Sequence, residues 1–336
     1  MRDGGSNAFP HLSSTPEHTD VQQYSIRLSA NNCVRPYHEV LPNLLSVNLS
    51  RYGYMPRTDR FITVQGLDVH YSEWGRSEAP PVVCVHGLSR VGRDFDPLAA
   101  ALENEYRVLC PDLPGRGWSE WPDDSSAYAR GAMVELLNAF CDALGLDALR
   151  WVGTSMGGSL GISLAGGALA DRITHLVVND VSPDPANDGT DEALERIVTY
   201  VSNPPVCNTV SDLEAFNREI YEERFSAMTD EEWRRFTITS ACRTADGSIT
   251  RAYDPSILQL FGDEYGTGPD PWDVWAAIEA DLLILRGRDS GILPAGPYER
   301  MLAHQPDAET VEVDCGHAPV LNVPEQIDPI RVFFEQ

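Results

Sequence analysis

The sequence predicts an α/β fold, a doubly wound and mostly parallel sheet carrying an inserted helical cap. Three observations predict it. Short, continuously apolar runs recur along the chain ("PPVVCVHG", "YRVLCPD", "LRWVGTS", "ITHLVVNDV", "DLLILRG"), as strands buried on both faces do. Segments with helical periodicity separate them, which gives the strand–helix alternation of parallel sheets. The alternation pauses between about Ser182 and Ala280 and then resumes.

The elements follow in order. Residues 1–59 form an N-terminal extension with little regular pattern, and the stretch to about Asp20 is rich enough in Ser, Gly, Pro, Asn and Thr to be disordered. "RFITVQG" and "LDVHYSEWG" read as two strands around a Gly turn, and "PPVVCVHG" is the first doubly buried strand. Asp96 and Pro97 open a helix, since Pro fits its first position. "SAYARGAMVELLNAFCDALG" is a helix that ends on Gly. "LRWVGTS" is a strand, and "MGGSLGISLAGGALA" is a helix dense in small residues. The core is therefore expected over 60–181 and 281–336. The interval 182–280, with "DEALERIVTYV" and "SDLEAFNREIYEERFSAM", is expected to be a helical cap over the carboxyl edge of the sheet, where open α/β folds bind ligands.

Composition narrows the function. The chain has 336 residues, 51 of them acidic and 25 basic, for a net charge of −26. That charge argues against nucleic acid and anionic membranes as partners. Every basic residue is Arg, which excludes a Ser–Lys dyad, a Schiff-base lysine and a P-loop. The seven cysteines include no C-x-x-C pair, so neither a disulfide framework nor a zinc site is expected. No apolar run is long enough to span a membrane and the N-terminus has no apolar leader, so a cytoplasmic location is expected.

"GTSMGGSLG" contains two overlapping copies of G-x-S-x-G, centred on Ser155 and Ser159. A nucleophile elbow needs a strand running into the serine and a helix directly after it. Ser155 meets this demand, whereas Ser159 lies inside the helix, where small residues serve packing. A serine hydroxyl needs a base, and the base needs an orienting acid, in the chain order Ser, Asp or Glu, His. Asp289 follows the strand "DLLILRG" and His317 follows "AETVEVD", both at carboxyl ends of strands. Asp180, at the end of "ITHLVVN", is the competing acid. The oxyanion donors are expected at the backbone N–H groups of Met156 and Leu88, with Ser89 as the alternative to Leu88. His86 precedes the serine and is read as a loop-holding residue, and Asp112 and Arg116 as shapers of the turn "PDLPGRGWS".

Taken together, "VHGLS", "DLPGRGWS", "GTSMGG", "RGRDS" and "CGHAP" resemble the α/β-hydrolase superfamily, in its esterase and lactonase-like branch, from about Arg60 to Gln336. The resemblance implies a cap domain and no metal or organic cofactor. Serine rather than Asp at position 155 departs from haloalkane dehalogenases and epoxide hydrolases and points to acyl transfer. "HGLSRVGRDF" departs from the Gly-rich loop usual in C–C bond hydrolases. The expected function is a serine carboxylesterase acting on a small-molecule ester of small or medium size. The alternatives are a lactonase, a C–C hydrolase, or a non-catalytic receptor on the same fold.

Overall fold

A computed structural model describes residues 33–36, 57–262 and 268–336. The disorder expected to about Asp20 lies outside the described residues.

Eight strands form the main sheet: β2 (Thr58–Val64), β3 (Leu67–Trp74), β4 (Pro81–Val85), β5 (Arg107–Pro111), β6 (Leu149–Thr154), β7 (Ile173–Asn179), β10 (Asp281–Gly287) and β11 (Glu309–Val313). Their spatial order is β11-β10-β7-β6-β4-β5-β3-β2. The pairings from β5 through β11 are parallel, and β3 runs antiparallel to both β5 and β2.

The continuous apolar runs are explained by burial on both faces. Along β4, Val83 and Val85 join one core layer while Val82 and Cys84 join the other. The period-2 alternation of a strand thus serves two cores at once. Helices α2 (Arg130–Ala143) and α3 (Met156–Ala165) cover the first face, and α1 (Asp96–Leu102) and α10 (Pro324–Phe334) cover the second. Helix α9 (Ala295–His304) lies between β10 and β11 in the chain and adds the buried Met301 to the first layer.

Between β7 and β10 lie α4 (Pro185–Asp188), α5 (Asp191–Ser202), α6 (Val210–Tyr221) and α7 (Asp230–Thr239). Helices α6 and α7 each begin with a reciprocal capping box, Thr209 with Asp212 and Thr229 with Glu232, which satisfies first-turn N–H groups. Three features of this region differ from the sequence reading. First, the interval is not purely helical: β8 (Ala241–Thr244) and β9 (Ile249–Arg251) pair around Asp246-Gly247, where Gly247 takes φ 89°. An Asp-Gly turn between β-branched residues is a hairpin signal. Second, β1 (Cys33–Pro36), from the N-terminal extension, adds antiparallel to β8, so that extension contributes a strand. Third, α8 (Pro271–Ala276) packs on the core: Trp275 is fully buried in the first layer and its indole N–H donates to Met301 O at 3.0 Å. No disulfide framework is expected from the sequence, and Cys84, Cys110, Cys141, Cys207 and Cys315 are free thiols, but Cys242 on β8 is disulfide-bonded.

The small residues of α3 have a steric cause. A Cβ on Gly157 would stand 1.9 Å from Val85 O, and one on Gly161 would stand 2.4 Å from Trp151 Nε1. The second copy of the serine motif therefore seats α3 against β4 and β6. Gly161→Ala is expected to lower stability by about 1–3 kcal/mol, the usual cost of overpacking a tight seam. Thermal unfolding measures it, and an unchanged midpoint would contradict the packing role.

Candidate active site

The sheet delivers five loops to one edge, those after β4, β6, β7, β10 and β11. Strand β6 ends at Thr154 and α3 begins at Met156, leaving Ser155 between them with φ 53° and ψ −118°. A non-glycine residue held there is strained, and the neighbours must enforce it. They do so by backbone bonds: Ser155 N donates to Asn179 O at 2.9 Å, and Ser155 O accepts from Ser159 N at 3.0 Å. Asn179 also clamps the loops together, with its Nδ2 donating to Thr154 Oγ1 at 3.0 Å and to Pro319 O at 2.9 Å.

His317 lies 2.9 Å from Ser155 Oγ through Nε2, and 2.7 Å from Asp180 Oδ2 through Nδ1. A carboxylate accepts only, so Nδ1 carries the proton and Nε2 is free to accept the serine O–H. The acid beside His317 is thus Asp180, and the expectation of Asp289 is corrected. Asp180 follows β7 directly, is fully buried and takes φ 60°. Its Oδ1 accepts from Gly287 N at 2.8 Å, and its Oδ2 accepts from Ser290 Oγ at 2.7 Å. Asp289 instead lies exposed on the turn after β10, where Ser290 N bonds back to Gly287 O at 3.0 Å and brings Ser290 inward. Ser290 and Asn179 are the two supporting residues the sequence reading missed; the only available signal was a polar residue beside a buried strand end.

Ser159 is buried on α3, and its hydroxyl accepts from Arg130 at 2.6 Å. The imidazole of His317 bonds Ser155, 162 residues away in the chain, and not Ser159.

The loop after β4 stands beside Ser155, since a Cβ on Gly87 would lie 3.7 Å from the Ser155 Cβ. Gly87 O accepts from His86 Nδ1 at 2.7 Å and from Arg90 N at 3.1 Å. In a trans peptide the N–H points opposite to the carbonyl, so these bonds fix the direction of Leu88 N–H. Neither Leu88 N nor Met156 N has a hydrogen-bond acceptor among the described residues. Met156 N also heads α3, where the helix dipole favours negative charge. Arg116, fully buried, donates to Leu88 O at 3.0 Å and reaches Met156 Sδ at 3.5 Å, so one side chain braces both donor residues. Burial lowers the Arg116 pKa to about 10.

His86 accepts from Leu113 N at 3.0 Å through Nε2, which leaves the proton on Nδ1 for Gly87 O. Burial lowers its pKa to about 4, so it is a neutral structural imidazole. Asp112 holds the turn after β5: its carboxylate accepts from Gly92 N at 2.7 Å, Trp118 N at 3.0 Å and His70 Nδ1 at 2.8 Å.

The cavity above Ser155 is lined from the core by Leu88, Met156, Val181 and His317, and from the region after β7 by Leu194, Ile197, Tyr200, Tyr221 and Phe225. Among the described residues, no group of His, Cys, Asp and Glu side chains could hold a metal ion. No helix among them is long and apolar enough to cross a membrane.

A strained serine, a histidine and a buried carboxylate on a parallel sheet define a hydrolase architecture, and comparison with known proteins gives the family. Residues 82–329 match the alpha/beta hydrolase family. The chain is 36% identical over 274 residues to a 3-hydroxybutyrate-oligomer hydrolase of Cupriavidus necator, covering 79% of this chain and 92% of that protein. It is 29% identical over 252 residues to an esterase of Mycobacterium tuberculosis, covering 72% and 76%. A crystal structure of an alpha/beta hydrolase from Novosphingobium aromaticivorans superposes with a TM-score of 0.75 at 33% identity, covering 83% of this chain and 98% of that one. The chain belongs to the alpha/beta hydrolase family.

His70 gives a stability prediction. Burial opposes its charge, but Asp112 and then Asp59 outweigh that and lift its pKa from 6.5 to about 9. A group with a raised folded pKa contributes fully below its unfolded pKa, and the contribution is lost as pH rises through the folded one. Unfolding free energy is therefore expected to fall between about pH 6.5 and 9, by about 3 kcal/mol. His70→Gln should remove that slope. Denaturant titrations across this range measure it, and a slope retained in His70→Gln would contradict the assignment.

Proposed function

We propose that this protein is a cofactor-independent serine hydrolase that cleaves carboxylic esters, with oligomeric esters of short hydroxy acids as its substrate class. The observation that carries the reading is the imidazole of His317 hydrogen-bonded on one side to Ser155 and on the other to Asp180. Similarity to a 3-hydroxybutyrate-oligomer hydrolase over most of both chains supports the substrate class.

In the proposed mechanism Ser155 Oγ attacks the ester carbonyl while His317 Nε2 takes its proton. Asp180 stabilises the imidazolium that forms, since its buried oxygens are already fixed by Gly287 N and Ser290 Oγ. The Leu88 and Met156 N–H groups receive the oxyanion. His317 returns the proton to the departing alcohol and then activates water, which frees the acid and restores Ser155. A lactone is an internal ester and would follow the same steps.

We assign the interval between β7 and β10 as the cap, because its α5 and α6 side chains close the cavity over Ser155. The disulfide at Cys242 weighs against the cytoplasmic placement that composition suggests, since intracellular thiols are kept reduced.

Turnover of p-nitrophenyl butyrate and of 3-hydroxybutyrate oligomers tests the reading. Ser155→Ala should lose about 10⁴-fold or more in kcat, and Asp180→Asn about 10³–10⁴-fold, whereas the exposed Asp289→Asn should stay within about twofold. No turnover of any ester by the wild type would remove the reading. Loss in Asp289→Asn with activity kept in Asp180→Asn would overturn the choice of acid.

A further inference from the structure

The cavity over Ser155 carries positive charge in a strongly acidic protein. Its lining includes Arg90, Arg130, Arg196 and Arg224, and no Asp or Glu. Two of these cations are already engaged. Arg90 forms a double hydrogen bond with Asp94 at 2.8 and 2.7 Å. Arg130 donates to Ser159 Oγ and to Ser163 Oγ at 2.6 and 2.8 Å.

Arg196 and Arg224 differ. Neither makes an ion pair within 4.0 Å among the described residues, although the net charge of the chain is −26. The Nε of Arg196 is buried with no hydrogen-bond partner. Arg224 gives one N–H to Ile220 O at 2.8 Å. Its Cα lies 3.2 Å from where a Cβ on Gly316 would stand, so it flanks the residue that precedes His317. The two guanidinium groups also oppose each other: burial, and then Arg224, lower the pKa of Arg196. Glu192, one turn earlier on α5, offsets part of this from beyond ion-pair distance. Two like charges facing a cavity whose lining holds no Asp or Glu, with a buried Arg196 donor left unused, are stabilised by an anion.

We infer that Arg196 and Arg224 bind the free carboxylate of the substrate, so that the enzyme selects esters bearing an acid group at one end. This rests on the ester-hydrolase reading above and narrows it. An oligomer of a hydroxy acid carries one such carboxylate, at its acid terminus. Guanidinium suits it because its fork of N–H donors matches the two carboxylate oxygens. The apolar side chains of Leu194, Ile197 and Phe225 then face the hydrocarbon part of the same molecule.

The test compares 3-(3-hydroxybutanoyloxy)butanoate with its primary carboxamide, which has the same scissile ester and nearly the same shape but no charge. Product release is followed by chromatography. The wild type should favour the carboxylate by about tenfold or more in kcat/KM, the effect of losing one or more charge-assisted hydrogen bonds. Arg196→Gln and Arg224→Gln should each reduce that preference, chiefly through KM, and the double variant should bring the ratio close to one. Thermal unfolding checks that each variant is folded, and the wild-type ratio tests the inference even if a variant is not. Equal kcat/KM for the two substrates in the wild type, or an unchanged ratio in the folded double variant, would overturn it. Hydrolysis of p-nitrophenyl butyrate by the same preparation separates the two readings. If it proceeds without a carboxylate preference, anion recognition fails and the esterase reading stands. If it does not proceed, the esterase reading fails first.

Discussion

The hydrogen bond between His317 and Asp180 joins loops 137 residues apart, and the organisation of the site depends on it. A carboxylate buried to zero exposure needs partners for both oxygens. Gly287 N, Ser290 Oγ and His317 Nδ1 supply them, so the end of β10 with its turn and the segment after β11 both converge on one side chain. That convergence fixes the imidazole tautomer and aims Nε2 at Ser155. Asn179, the residue before Asp180, clamps the β6 and β11 loops to the same strand end. Backbone strain is concentrated here too: Ser155 and Asp180 both hold positive φ, at 53° and 60°. Strain of this kind persists only where surrounding bonds over-determine it, as they do at both residues.

A second layer of buried polar groups prepares the opposite wall. His86 is neutral because burial disfavours its charge, and neutrality lets one ring nitrogen donate to Gly87 O while the other accepts from Leu113 N. Arg116 reaches both Leu88 and Met156. The direction of the two free N–H groups is thus set before any substrate arrives, which is the arrangement that electrostatic stabilisation of an oxyanion requires.

Much of this was legible in the sequence, for definable reasons. Strands buried on both faces announce themselves as apolar runs, and chain order places Ser155, Leu88 and Met156 at the ends of such runs and His317 after the last, more exposed strand. The choice between Asp180 and Asp289 was not legible. Both follow buried strands, and the deciding fact is side-chain direction: the turn after β10 brings Ser290 inward and leaves Asp289 in solvent. The hairpin β8–β9 was missed although Asp246-Gly247 marks its turn, because the surrounding segments have strong helical periodicity. The pairing of β1 with β8 joins residues far apart in the chain, Cys33 with Thr244 and Pro36 with Cys242, and no local pattern announces it. The arginines of the cavity come from separate segments, Arg196 from α5 and Arg224 from the turn after α6, so only the folded chain brings them together.

The central claim is that one strained serine, activated through His317, performs the chemistry. Reaction with a fluorophosphonate, followed by peptide mass mapping, tests it most directly. The account predicts a single adduct, on Ser155. Labelling of Ser159, or of neither serine in folded protein, would contradict it.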